Sequence, residues 1–310
     1  MAYTDRDDLN QLGILYQIGK KKSPFFSAIG GLNAGKTTAS FIFSTGQTWS
    51  VTPTNVPISE AVAVGAQTAS TKVRTQDLNT CQIFQECYEV SYPKQSTYNE
   101  IVISAGTTGT SSAGNQPVTN ELTFQKAAAL KQIAGDVDYA FINGTYINST
   151  GPAVAAGTAG ILDAIDTNTV DGGAAYLTKA KIDELLIEMS ANAQFDNMIL
   201  LCNAFQLTKI SDVYGYAPES INVGGVNIQK IITNFCEIGI MWDPNMPVGE
   251  IAIVDMSVIG VIFCPVNGKL IIDEPLAKIG ASDKGQIYTQ IGLDYGPEMY
   301  HGSITNLKSA

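Results

Sequence analysis

The chain has 310 residues, 45% hydrophobic and 15% charged, enough apolar material for a large core and too much for wholesale disorder. A formal net charge of −11 argues against a protein that lives by gripping phosphate backbones; beside nucleic acid it would enclose rather than hold it. One histidine and five cysteines with no CxxC spacing leave no histidine metal site, triad or zinc site to propose. The cysteines, Cys81, Cys87, Cys202, Cys236 and Cys264, are expected to be buried thiols made in a reducing cytoplasm. The N-terminus is acidic and no apolar run reaches about 18 residues, so neither a signal peptide nor a membrane span is expected.

In residues 1–22, Leu9, Leu12, Ile14, Leu15 and Ile18 form a broad apolar stripe, with aspartates before it and Lys20, Lys21 and Lys22 closing it. These charges suit a helix dipole, and the segment reads as a surface helix or as an arm docked on a neighbouring subunit. Ser23-Pro24 breaks that helix, and Phe25, Phe26 and Ile29 follow as an apolar anchor.

Gly30 to Thr37 fits GxxxxGK[ST], the phosphate-cradling loop, which works when a strand precedes it and a helix N-terminus follows. Here the residues after it, Ala39 to Thr45, alternate like a strand, and Gly46 marks a turn before Trp49. A glycine-rich bend between strands is the expected reading; a P-loop nucleotide-binding protein using Gly30–Thr37 is the alternative.

Residues 46–80 are polar and poor in large apolar groups, and Cys81–Tyr92 reads as a strand with Phe84, Tyr88, Val90 and Tyr92 on one face. Two such arms around a weakly hydrophobic tip predict a long hairpin that needs a surface to lie on. Ile101–Ile103 is a short apolar segment, and 105–115 is a small-residue link.

Asn120–Gly144 is the strongest helical signal. Leu130, Ile133, Val137, Ala140 and Phe141 share one face, and Lys126, Lys131, Asp136 and Asp138 are expected on the other. Asn120 suits the N-cap and Asn143-Gly144 a left-handed stop. A helix of about 22 residues rises roughly 33 Å, long enough to serve as a spine. Beyond a second link at 151–160, Leu177–Ala193 predicts a helix capped by Thr178, Met198–Cys202 a strand covered on both faces, and Ala204–Val213 a further helix. Strands are expected in 228–240, 248–255 and 258–266, a two-residue hairpin turn at Asn267-Gly268, and closing strands at 286–295 and 299–307.

Asp136 and Asp138 flank Val137 and face different directions, Glu86 and Glu89 point to opposite sides of a strand, and Asp183 and Glu184 sit among lysines. The sequence therefore offers no catalytic, cofactor-binding or metal residues, and no cofactor is expected.

The order of elements, with several local matches, resembles the major capsid proteins of tailed bacteriophages, the Hong Kong 97-like fold. The matches are Ser23-Pro24-Phe25, Trp49, Glu60-Ala61, Arg74, Asn79, Gln82-Ile83-Phe84, Val90-Ser91, Asp138-Tyr139-Ala140, Asn143-Gly144 and Gly160-Ile161. The resemblance is loosest over 204–227, and Gly30–Thr37 stands where the family has a shorter basic turn. It implies an α+β chain with a long spine helix, an extended β-hairpin loop and a mixed α/β axial domain. The implied division is an N-terminal arm at 1–39, the extended loop at 40–105, a peripheral domain of 106–159 with 271–310, and an axial domain at 160–270. It implies a non-enzymatic shell protein, made in the host bacterial cytoplasm and resident in the virion. Its partners would be itself in pentamers and hexamers, a portal, and scaffolding or decoration proteins, with double-stranded DNA enclosed without sequence-specific binding and no membrane contact. Trp49, Glu60, Lys72, Arg74 and Phe84 are the expected subunit-interface residues. The short N-terminal arm leads to the expectation that any scaffolding is supplied by a separate protein.

Overall fold

The computed structural model describes residues 23–32, 34–51, 53, 55–65, 71–96, 121–214, 220–223 and 226–309. In chain order they form α1 (Pro24–Ala28), β1 (Lys36–Thr37), β2 (Ile42–Trp49), α2 (Glu60–Val64), β3 (Arg74–Thr80), β4 (Gln82–Ser91), α3 (Tyr92–Ser96) and the spine α4 (Glu121–Asn143). Then come α5 (Ile161–Ala164), β5 (Thr169–Asp171), α6 (Lys179–Met189), β6 (Met198–Cys202), α7 (Ala204–Tyr214), β7 (Ser220–Val223), β8 (Val226–Ile232) and β9 (Glu237–Trp242). The chain closes with β10 (Ile251–Asp255), β11 (Gly260–Phe263), β12 (Ile271–Pro275), β13 (Ser282–Asp294), a 3-10 turn (Glu298–Tyr300) and β14 (Gly302–Thr305). The expected arm helix in 1–22, the segment at 101–103, the link at 105–115 and the Asn120 cap lie outside the described residues.

The spine follows its hydrophobic period: Ile133, Val137, Ala140 and Phe141 are buried, joined by Ala129 and Ile142. Leu130, expected on that face, is instead exposed. Asp138, expected in solvent, is buried, because α1 docks over it and its carboxyl finds donors there. Phe26 of α1 meets Phe141 edge to face at 5.7 Å between ring centroids. The spine ends at Gly144 without a left-handed residue. Glycine is needed there because a Cβ would lie 2.3 Å from the Ala140 carbonyl and 2.4 Å from that of Thr158, where the chain crosses back.

A five-stranded sheet packs against the spine. Its centre is β13, paired with β4 from Ser282↔Ser91 to Ile291↔Gln82. The opposite edge of β13 carries β11 opposite Ile291–Asp294 and β12 opposite Gly285–Thr289. Asn267 and Gly268 do make a tight turn, with φ of 51° and 76° and a Val266↔Lys269 bridge. The expected hairpin does not follow, however: β11 and β12 both pair with β13 in the same direction, and the turn bulges out between them. A seven-stranded sheet, ordered β5-β14-β10-β6-β9-β8-β7, forms the second layer.

β6 shows how the layers join. Ile199 and Leu201 enter the core shared with the spine, α1 and the five-stranded sheet, while Met198, Leu200 and Cys202 face the second core under α6 and α7. Thr178 occupies the N-cap position of α6 but makes no side-chain cap bond.

Two strand expectations need correction. The arm returning along the hairpin is β3, not Cys81–Tyr92; β4 belongs to the five-stranded sheet, and its Phe84, Tyr88 and Val90 bury in the core. At the other end β14 leaves the five-stranded sheet and pairs with β10 and β5.

Candidate functional site

The hairpin of β2 and β3 is the least self-sufficient element of the described chain. Its register runs from Ile42↔Thr80 to Thr45↔Asp77, then shifts before Thr48↔Thr75 and Trp49↔Arg74. The shift falls at Gly46, whose φ is +57°. A Cβ on Gly46 would meet the Gly296 carbonyl at 2.5 Å, so only glycine lets the strand cross there.

Inside this point the hairpin is firmly held. Phe43 buries with Cys81 and Ile262. Asn79 donates to the carbonyls of Leu293 at 2.7 Å and Ala159 at 3.2 Å, and accepts the amides of Ala159 and Thr80, each at 2.8 Å. Thr80 Oγ1 donates to the Gly157 carbonyl at 2.7 Å. Asn79 and Thr80 are polar yet fully used, which is how a strand reading RTQDLNT can be part of a folded chain.

Outside Gly46 the described hairpin residues are exposed, apart from the half-buried Thr48. Val56 is 70% exposed, Ile58 64%, Val64 84% and Val73 75%, so the exposed apolar side chains gather on this segment and are not scattered singly. α2, capped by Ser59 through the Val62 amide, has no buried residue. Of the expected interface residues, Trp49 and Arg74 face each other across the hairpin and are exposed with Glu60 and Lys72. Phe84 is corrected: it is 6% exposed in its own chain's core, because β4 pairs with β13 and turns that face to the spine.

The nucleotide-binding geometry is not formed. Lys36 opens β1, a strand parallel to β11, and its Nζ pairs with Asp294 Oδ2 at 2.8 Å. With a strand where a P-loop needs a helix, no helix N-terminus faces a phosphate. Among the described residues no group of three or more His, Cys, Asp or Glu could hold a metal ion, and no helix is long and apolar enough to cross a membrane.

The sequence reading missed a buried polar knot where α1, the spine and the segment after β9 meet. Phe26 N–H donates to Asp138 Oδ1 at 2.8 Å and Asn245 Nδ2 to Asp138 Oδ2 at 2.7 Å. Asp243 accepts the Asn245 amide at 2.7 Å and the Phe25 amide at 3.4 Å. Burial, and then the neighbouring Asp243, push the Asp138 carboxyl up to about 8. Nothing in the local sequence signals this, since the partners lie more than 100 positions away.

A long spine, a hairpin reaching away from the body, a sheet packed on the spine and a second α/β layer together define a capsid protein of the Hong Kong 97-like fold. Solved structures agree with that class. A cyanophage A-1(L) capsid chain superposes with a TM-score of 0.69 at 9% identity, covering 99% of both chains. The SrpI encapsulin of Synechococcus elongatus PCC 7942 gives 0.61 at 11% identity, covering 99% of this chain and 96% of its own. The capsid of a native GTA particle gives 0.59 at 11%, covering 96% and 94%. Among curated proteins none matches in sequence. The chain belongs to the SU10 major capsid protein family, whose profile matches residues 4–308. It is thus a major capsid protein of a tailed phage, and nothing favours the P-loop alternative.

Proposed function

We propose that copies of this chain assemble into pentamers and hexamers of an icosahedral head enclosing double-stranded DNA, with each hairpin laid across a neighbouring subunit. The observation that carries this reading is the outer hairpin: Val56, Ile58, Val62, Val64 and Val73 are exposed together beyond a firmly anchored root. Exposed apolar side chains gathered on one segment, uncovered among the described residues, are the usual mark of a protein-protein contact. Trp49 supplies an aromatic anchor, and Glu60, Lys72 and Arg74 a polar rim. The acidic chain suits a wall along which DNA slides during filling.

We assign the extended loop to β2, α2 and β3, the peripheral domain to the spine with the five-stranded sheet, and the axial domain to the seven-stranded sheet with α6 and α7. The protein would reside in the virion after synthesis in the host cytoplasm, meeting a portal and scaffolding or decoration proteins there.

The test is electron microscopy and sedimentation of the expressed chain beside a Val62→Asp/Val64→Asp variant. Rings of five or six, or closed shells, are expected for the parent. The variant should keep the parent's melting temperature and stay unassembled. Assembly of the variant at the parent's efficiency would remove the hairpin from the contact.

A further inference from the structure

The knot around Asp138 is more than core filling. Asp138 and Asp243 are both 0% exposed, accept the adjacent amides of Phe26 and Phe25, and are bridged by Asn245, whose side-chain and backbone N–H groups go one to each. Two carboxylates buried on the same set of donors repel strongly, and one proton shared between them converts the repulsion into a hydrogen bond. These contacts fix the pair from two sides: the amides of Phe25 and Phe26 from α1, and Asn245 from the segment after β9.

The charged surroundings favour the same arrangement. Among the described residues the charged group acting on Asp138 is Asp243, which also acts on the Cys202 thiol, itself pushed up to about 12 by burial and then by Asp243. On β8, Lys230 pairs with Glu237 at 2.9 Å. On the spine, Asp136 is turned outward and takes a hydrogen bond from Gln132 at 2.8 Å.

We propose that Asp138 and Asp243 share one proton, and that this proton latches α1 to the spine and to the seven-stranded sheet, so that seating of the N-terminal segment is linked to proton uptake. Loss of the proton leaves two buried negative charges whose cheapest relief is water, and the way to admit water is to lift α1 with Phe25 and Phe26. The device is a property of the folded chain and does not depend on the shell reading.

The test uses the full chain. Infrared absorption at about pH 6 should show a protonated-carboxyl stretch that fades towards about pH 9, and Asp138→Asn should lack it. Hydrogen exchange of the 25–28 amides should show protection falling by up to about tenfold per pH unit as pH rises towards about 8 and levelling off above it, beyond the intrinsic rise in exchange. In Asp138→Asn, and equally in Asp243→Asn, that protection should no longer depend on pH. Absence of the carboxyl band in the parent, or the same pH dependence in parent and variants, overturns the proposal. If neither variant folds, the parent's band and exchange profile decide it alone.

Discussion

The Thr45 hydroxyl donates to Asp294 Oδ1 at 2.7 Å and accepts the Gly296 amide at 3.0 Å, tying the root of the hairpin to the end of the central strand β13. The other oxygen of Asp294 is held by Lys36 at 2.8 Å, so one carboxylate joins three segments. Thr45→Val keeps the shape but removes the donor to Asp294 and leaves the buried Gly296 amide only its longer, 3.4 Å bond to Asp294 Oδ1. Such a loss costs about 1–3 kcal/mol. Chemical denaturation should show that decrease, and Thr45→Ser should recover most of it. An unchanged midpoint for Thr45→Val would mean that the hairpin root is held by Phe43 and Asn79 alone.

Gly46 gives a second, independent reading of the same root. An alanine there must adopt φ near +57° and place its Cβ 2.5 Å from the Gly296 carbonyl. The left-handed conformation alone costs roughly 1–2 kcal/mol, and the close carbonyl forces either β2 or the 294–296 turn to move. Gly46→Ala is expected to lower thermal stability by at least that much, and to impair assembly more than stability because it redirects the outer hairpin. Calorimetry together with sedimentation separates the two effects.

How much of this was readable beforehand depends on whether the deciding contacts are local. The spine, α6, β6 and α7 follow from periodicity, since burial on one face leaves its mark within a dozen residues. The alternation in Gln82–Ser91 identified a strand, but its partner, 282–291, lies some 200 positions away, so a local reading paired it with the nearer β2. β3 was hidden because Asn79 and Thr80 bury by hydrogen bonding, not by hydrophobicity. Asp138 looked solvent-facing for the same reason: an aspartate on the flank of a helix carries no sign that a distant asparagine and two amides will cover it. The outer hairpin was legible from composition alone, as a segment lacking the apolar mass to stand by itself.

The cysteines give a chemical prediction. All five are free, but only Cys87 is exposed, in a shallow groove with Tyr88, Gln125 and Gln132 between β4 and the spine. That corrects the expectation that all are buried, and it follows from Cys87 lying on the outer face of β4. Burial pushes the thiols of Cys81 and Cys202 up to about 12, which suppresses the thiolate needed for attack. Alkylation of the native chain followed by mass spectrometry should modify Cys87 first and leave Cys81 and Cys202 intact until the protein unfolds. Early modification of Cys202 would show that the second core opens readily.

The pH dependence of stability should have two contributions with different owners. His301 is buried, its Nδ1 accepting the Asp255 amide at 3.1 Å and its Nε2 donating to the Tyr295 carbonyl at 2.6 Å. Desolvation lowers its pKa because the charged imidazolium would lose its water in this buried site, an effect larger than the help it would get from the Tyr295 carbonyl. The unfolded chain therefore takes up this proton first, and stability falls as pH drops below about 6.5, by at most about 1.4 kcal/mol per pH unit. Asp138 has the opposite sign: its folded pKa is raised, so its contribution is complete at low pH and declines as pH rises through about 8. The Asp138 decline runs from about pH 4 to about pH 8, so it offsets the His301 slope below about 6.5, leaves a net fall between about 6.5 and 8, and levels off above. Asp138→Asn should abolish the fall between about pH 6.5 and 8 and unmask the His301 slope below it, and His301→Gln should extend the Asp138 fall to lower pH, in denaturation midpoints measured across the range. An unchanged profile in either variant would show that the substituted group does not titrate as its surroundings require.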